Sequence, residues 1–423
     1  MLGIHRHRPR GIGLLVCAAL ALAPVAAVQA RAATAVPATA GAAGAVPATA
    51  VVSMGDSYIS GEAGRWKGNS DDSGGSRDGT DRAWTGSGYD PALVYGSTYA
   101  NGCDRSDVAE VRSAPTVAQA QINLACSGAT TANIFRASQG GKSFKGEAPQ
   151  ADQLAVVAAH YQVKLIALSI GGNDLGFGDV ITACVEDYVA YDSYCYATQQ
   201  KAIDARMAAA MAGVAKSIDE IRAVMAADRY SARDYRIVLQ SYPSPIPRGN
   251  ENRYPERGIS RIETGGCPFW DADSDWARDS LVPQISNRLA AVAAARGVQF
   301  LDLRDVLQGR EVCSTATRQA TGTEGPSAVT SEWSRFLDYY YLQGTTQESF
   351  HPNYYAQLGL GRCLTLIAAR ATGNWACHNT PGRDASGMVL LSRTSAVPCP
   401  VPVAVGPVPP RSRLLLPKAL GRA

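Results

Sequence analysis

The chain lacks most of the short motifs that mark common chemistries. It has no G-x-x-x-x-G-K-[ST] loop and no G-x-G-x-x-G after a strand, so phosphate and dinucleotide cradles find no support. The G-x-S-x-G elbow is missing, which argues against the α/β-hydrolase fold. No C-x₂-C pair occurs, so zinc spacing fails. The acidic stretch "DADSDWARD" has Trp276 where an EF-hand needs glycine and Val282 where it needs its closing glutamate. It reads as a helix start, and no metal or cofactor is expected. Charge of either sign is nearly balanced, at 40 Lys and Arg against 37 Asp and Glu. Arg6, Arg8 and Arg10 account for the surplus of +3, and no basic run with interleaved aromatics offers a nucleic-acid surface. Beyond the N-terminus, no apolar run approaches the roughly 20 residues of a spanning helix. Histidine is scarce, with five in 423 residues.

What is present begins with an export signal. A basic start, an apolar stretch from about Ile12 to Val28 and a small-residue exit near Ala30 make residues 1–32 a secretory signal peptide. Secretion to the extracellular space is therefore expected. Residues 33–48 form a low-complexity leader with a repeated "AVPATA". Residues 380–423 are Pro-rich and basic and are expected to be a disordered tail. In an oxidising compartment, the nine cysteines left after Cys17 departs are staples. Pairing neighbours gives Cys103 with Cys126, Cys184 with Cys195, Cys267 with Cys313, and Cys363 with Cys377. Cys399 is then left over, and other connectivities fit the sequence equally.

Between these ends, residues 49–379 alternate short apolar strands with helices. "AVVSM", "QINLAC", "KLIALSI", "YRIVLQSY" and "VQFLDL" read as strands. "ADQLAVVAAHY", about Gln199–Ala227, about Asp275–Arg296 and "NYYAQLGLGRCLTLIAAR" read as helices. That order predicts an α/β domain, a parallel sheet covered on both faces. Three strands run into polar turns: "SMGDS", "NLACSGATT" and "ALSIGGND". In open α/β sheets the ligand crevice lies beyond the carboxyl ends of the strands, so these turns should converge. The connection from about Arg65 to Gly102 is unusually long. Its aromatics Trp66, Trp84, Tyr89, Tyr95 and Tyr99 either border a substrate or fasten the loop.

Ser57 in "GDS" invites a nucleophile, and a serine nucleophile needs a base. His5 and His7 leave with the signal, His160 falls at the wrong end of a strand, and His378 follows the body. His351, in the polar loop "ESFHPN", remains. An acyl transfer also needs donors for its oxyanion. The N–H of Ser57, the N–H of Gly128 in "CSGA" and the side-chain amide of Asn173 in "GGND" are the candidates. Asp56 and Asp174 in the same blocks read as turn-shaping residues.

"GDSYISG", "CSGATT", "GGND" and "ESFHPN", in that order, resemble the four blocks of the SGNH, or GDSL, hydrolase family. The resemblance implies a three-layer α/β/α, flavodoxin-like fold. It also implies Ser57 as nucleophile, Gly128 and Asn173 as oxyanion donors, and His351 as base. The family usually places Asp three residues before its histidine; here that position holds Glu348. Either Glu348 or a backbone carbonyl then orients the ring. Cysteine-stapled secreted members resemble actinobacterial esterases and lipases, some acting on phospholipid. The expected activity is a carboxylic ester hydrolase, with lipid or phospholipid esters as substrates. Alternatives are a carbohydrate O-acetyl esterase and, in another class, an inactive secreted binding protein. The partner is a small-molecule or lipid ester, with transient contact at a lipid interface, no nucleic acid, and a monomeric chain.

Overall fold

A computed structural model describes residues 46–393. The signal segment, most of the leader, Cys17, Cys399 and residues 394–423 lie outside the described residues. Seven strands form one sheet: β1 Thr49–Gly55, β2 Ala120–Asn123, β3 Gln162–Ser169, β4 Arg236–Gln240, β5 Gln299–Asp302, β6 Trp375–His378 and β7 Val389–Ser392. Their spatial order is β2-β1-β3-β4-β5-β6-β7. All neighbouring pairs are parallel except β6 with β7. The first five follow the 2-1-3-4-5 order of flavodoxin-like sheets.

Strand side chains alternate between two cores, as a period of two demands. In β1, Val51 faces one core while Val52 and Met54 face the other; in β3, Leu165 and Ala167 oppose Ile166 and Leu168. Helices Gln150–His160, Tyr196–Ala227 and Val282–Arg296 cover the larger core. The final helix, Tyr354–Ala368, covers the other with Leu360, Leu364 and Ile367. The sheet is therefore buried on both sides, which suits near-continuous apolar strands.

Three differences from the sequence expectations have physical causes. The helix expected from about Asp275 begins at Asp271 and runs through a π-helical turn, Ala277–Leu281, into Val282–Arg296. Its early start caps another helix, because Asp273 accepts from the N–H groups of Cys195 and Tyr196. A helix over Phe177–Val189 carries no strong helix-start signal, since Gly176 precedes it. Last, residues 380–393 are part of the body and not a disordered tail. β7 pairs along β6, Met388 is buried in the second core, and Arg393 donates to Asp302 and Asn287. A four-residue edge strand is too short to show a period.

Four disulfides join Cys103–Cys126, Cys184–Cys195, Cys267–Cys313 and Cys363–Cys377. Neighbour pairing thus describes all eight cysteines within the described residues. Among the described residues, no helix is long and apolar enough to cross a membrane.

Candidate active site

β1 ends at Gly55, whose φ is +142°. A Cβ there would lie 1.9 Å from the Ser169 carbonyl oxygen at the end of β3, so only glycine fits. The Gln150 side chain clamps the same residue, accepting from its N–H at 2.7 Å and donating to its carbonyl at 2.8 Å. Asp56 then caps the short helix Ser57–Ser60, accepting from the Tyr58 N–H at 3.3 Å. Ser57 is thereby held at a helix start, just beyond the carboxyl end of a central strand. Burial pushes the Asp56 carboxyl up to about 7, and the Tyr242 hydroxyl donates to it at 2.5 Å. That engagement fits a turn-shaping residue rather than a proton carrier.

The other motif turns converge on this point. Cys126 N–H donates to the Gly55 carbonyl at 3.1 Å, bringing the "CSGA" turn to the end of β1. Disulfide Cys103–Cys126 ties that turn to the long loop. Gly128 has φ +83°, in the left-handed region where a side chain is disfavoured. The Asn173 amide donates to the Ala129 carbonyl at 2.8 Å, and Asp174 accepts from Thr131 N–H at 3.0 Å and its hydroxyl at 2.6 Å. Tyr242 closes the set by accepting from the Gly172 N–H while it donates to Asp56. Among the described residues, the N–H groups of Ser57 and Gly128 have no intramolecular acceptor. They are open donors on two turns that meet at the end of β1.

His351 arrives on a strained backbone. Phe350 before it has φ +62°, a conformation that costs a non-glycine residue about 1–2 kcal/mol. Neighbours hold it there: the Tyr58 hydroxyl donates to its carbonyl at 3.1 Å, and its N–H donates to the Arg335 carbonyl at 2.7 Å. The His351 Nε2 lies 2.7 Å from Ser57 Oγ, and Nδ1 lies 3.1 Å from the Ser349 carbonyl oxygen. A carbonyl can only accept, so Nδ1 carries the ring proton and Nε2 is the bare acceptor of the serine hydroxyl. Burial pushes the ring down to about 4, so it is neutral at neutral pH and ready to take a proton.

Of the two groups expected to orient the ring, the Ser349 carbonyl occupies the place and Glu348 does not. The Glu348 carboxylate accepts from the Tyr95 hydroxyl at 2.6 Å and from the Thr345 N–H at 3.2 Å. It closes a capping box on the turn Thr346–Glu348 that leads to His351. The one-turn 3-10 geometry directs the carboxylate back along the chain instead of forward to the imidazole. Glu348→Gln should therefore leave kcat within about threefold of wild type. A melting curve should register loss of roughly 1 kcal/mol from the weakened box. A hundredfold loss of kcat would restore Glu348 to the ring.

The long loop fastens this segment. Trp66 is fully buried, with the Arg335 guanidinium 3.5 Å over its ring, and Tyr95 holds Glu348. Asp81, one of the loop's acids, is consumed by ion pairs with Arg65 and Arg77. His160 bonds to Val156 at the amino end of β3, and His378 lies in β6. Elimination among the histidines thus agrees with the geometry. Glu62, which no motif singled out, is buried with one carboxylate oxygen 3.7 Å from His351 Nε2.

A family model described as "GDSL-like Lipase/Acylhydrolase family" matches residues 53–354, well over half of the chain. Lipase 1 of Streptomyces coelicolor is 28% identical over 153 residues, 36% of this chain and 47% of that protein. The match thus spans about half the length of that relative. Among solved structures, an extracellular lipase from Streptomyces rimosus has a TM-score of 0.41 at 22% identity, covering 76% of this chain and 99% of that one. Phospholipase A1 from Streptomyces albidoflavus has a TM-score of 0.42 at 20% identity, with the same coverage. A family two carbohydrate esterase from Clostridium thermocellum has a TM-score of 0.33 at 13% identity, covering 77% of this chain and 65% of that one.

Proposed function

The chain belongs to the GDSL-like lipase/acylhydrolase family, and on that premise we propose that it is a secreted serine ester hydrolase working through an acyl-enzyme on Ser57. The carrying observation is the 2.7 Å contact from Ser57 Oγ to His351 Nε2 of a neutral ring, with the open N–H groups of Ser57 and Gly128 on turns that meet at the end of β1. His351 takes the hydroxyl proton as Ser57 Oγ attacks the ester carbonyl. The oxyanion is received by the Ser57 and Gly128 N–H groups and the Asn173 amide. Nε2–H then protonates the departing alcohol, leaving the acyl group on Ser57. Water, giving its proton to the same nitrogen, attacks the acyl-enzyme, and the acid leaves as Ser57 regains its proton. The Ser349 carbonyl holds the ring in the tautomer that both halves require.

An acyl chain of lipid type is favoured by an apolar cavity next to the reacting pair. Its walls include Tyr58, which follows Ser57, and Phe350, which precedes His351, together with Phe177, Ile246, Phe269 and Leu281. Such a lining gains by burying methylene groups and offers little to a sugar hydroxyl. Four disulfides fit the oxidising compartment to which a signal peptide would deliver the chain.

The test is a fluorophosphonate label followed by an ester panel. Ser57 should be the modified residue, and p-nitrophenyl esters should show kcat/KM rising from acetyl to longer chains, with phospholipid cleaved. Preference for acetylated sugars would replace the lipid reading with the carbohydrate one. Absence of label at Ser57 would favour the inactive binding protein.

A further inference from the structure

Glu62 sits two residues past the short helix that carries the nucleophile, just after its capping Gly61, with 1% of its surface exposed. Its backbone N–H donates to the Ser57 carbonyl at 3.3 Å, so it is fixed to the nucleophile's own turn. One oxygen, Oε2, accepts from the Ser127 hydroxyl at 2.5 Å and lies 3.7 Å from His351 Nε2. The other, Oε1, is buried and has no hydrogen-bond partner among the described residues. Ser127 immediately precedes Gly128, and its hydroxyl also accepts from the Gln347 amide at 3.4 Å. One carboxyl group therefore touches the oxyanion turn and approaches the base, while its backbone is tied to the nucleophile.

A buried acid with an unpartnered oxygen is costly to keep for packing alone, because its desolvation is uncompensated. We propose that Glu62 is a positioning residue of the reaction, whose carboxyl locks the Ser127–Gly128 turn and the His351 ring in register with Ser57. The inference rests on the serine ester hydrolase reading of the site. The surroundings favour its uncharged form. Burial pushes the Glu62 carboxyl well up, and Asp104 and Glu348 push it further, while the Ser127 bond and Lys145 oppose the rise. The phenols of Tyr58 and Tyr95 also face it; burial pushes both up, and Asp56 and Glu348 respectively push them further. An uncharged carboxyl leaves Nε2 to the serine hydroxyl. A carboxylate at the same distance would become a charged acceptor for Nε2–H once the ring is protonated, competing with the departing alcohol for that proton. The group thus resembles in its logic a carboxylic acid held protonated so that it serves as a hydrogen-bonding group rather than an ion.

The decisive comparison is among Glu62→Gln, Glu62→Ala and Ser127→Ala, read as the rate of fluorophosphonate labelling at Ser57 and as kcat and KM on a p-nitrophenyl ester. Glu62→Ala should slow labelling and kcat by roughly tenfold or more, the worth of one buried hydrogen bond, with KM little moved. Glu62→Gln, uncharged and of the same shape, should recover most of that loss. Ser127→Ala should slow labelling in the same direction, and combining it with Glu62→Ala should cost less than the product of the two. Equal labelling by Glu62→Ala and wild type, or a Glu62→Gln rate as low as Glu62→Ala, would overturn the inference. The second result would mean that the charge is needed. Because labelling requires no ester, a wild type that labels but cleaves no ester would sink the substrate reading alone. A wild type that does neither would remove the reaction, and this inference with it. If Glu62→Ala does not fold, the Gln and Ser127 variants still decide the matter, since a Glu62→Gln rate more than tenfold below wild type is incompatible with a neutral strut.

Discussion

Replacing Ser57 by alanine should lower kcat for ester hydrolysis by about 10⁶-fold, and His351→Ala should do the same. The double variant should be no slower than either single one. The reason is that the two groups form one device. Ser57 Oγ is 2.7 Å from Nε2, and neither the hydroxyl nor the imidazole does anything useful without the other. Multiplying losses in the double variant would show that the two act separately, and the mechanism would be wrong. The pH profile supplies a second reading of the same pair. With burial holding the ring down to about 4 and a carbonyl rather than a carboxylate at Nδ1, no anion raises its basicity. The active form is the neutral ring. kcat/KM should therefore stay level as the pH falls below neutrality and drop only as it nears about 4. An acid limb near the ordinary histidine value of roughly 6.5 would mean that the ring is solvated or charge-paired in solution.

Asn173→Ala should cost about 10²–10³ in kcat, the usual worth of a single oxyanion donor. KM should change little, because the negative oxygen exists only on the way through the tetrahedral state. The bond from its amide to the Ala129 carbonyl at 2.8 Å uses one of two N–H groups and leaves the second to the substrate. Losing that bond also loosens the Gly128 turn by roughly 1 kcal/mol, so rates should be normalised to titrated Ser57. Full turnover in Asn173→Ala would assign the oxyanion to the two backbone donors alone.

The proposed reacting pair was legible through scarcity: few histidines, and a single one in a loop beyond the strands. The sheet was legible from five apolar runs that end in polar turns. What stayed hidden shares a cause. The Ser349 carbonyl that orients His351 is a backbone atom, which any residue supplies, so no side-chain spacing announces it. Glu348 stands at the expected spacing, yet a capping box and Tyr95 take both its oxygens. Glu62 has no motif around it; its importance comes from burial and from residues 65 and 289 positions away in the chain, Ser127 and His351. β6 and β7 are four residues each, below the length at which alternation can be read.

The placement of β7 has a practical corollary. The order β2-β1-β3-β4-β5-β6-β7 sets it five spacings from β1, about 24 Å across the sheet at the usual strand separation. A carrier domain or an immobilising anchor grafted after Arg393 would hang from the edge remote from the serine. Display on a bead or cell wall through that end should leave the cleft facing bulk solvent, whereas a graft ahead of Thr49 would join the very strand that presents the nucleophile.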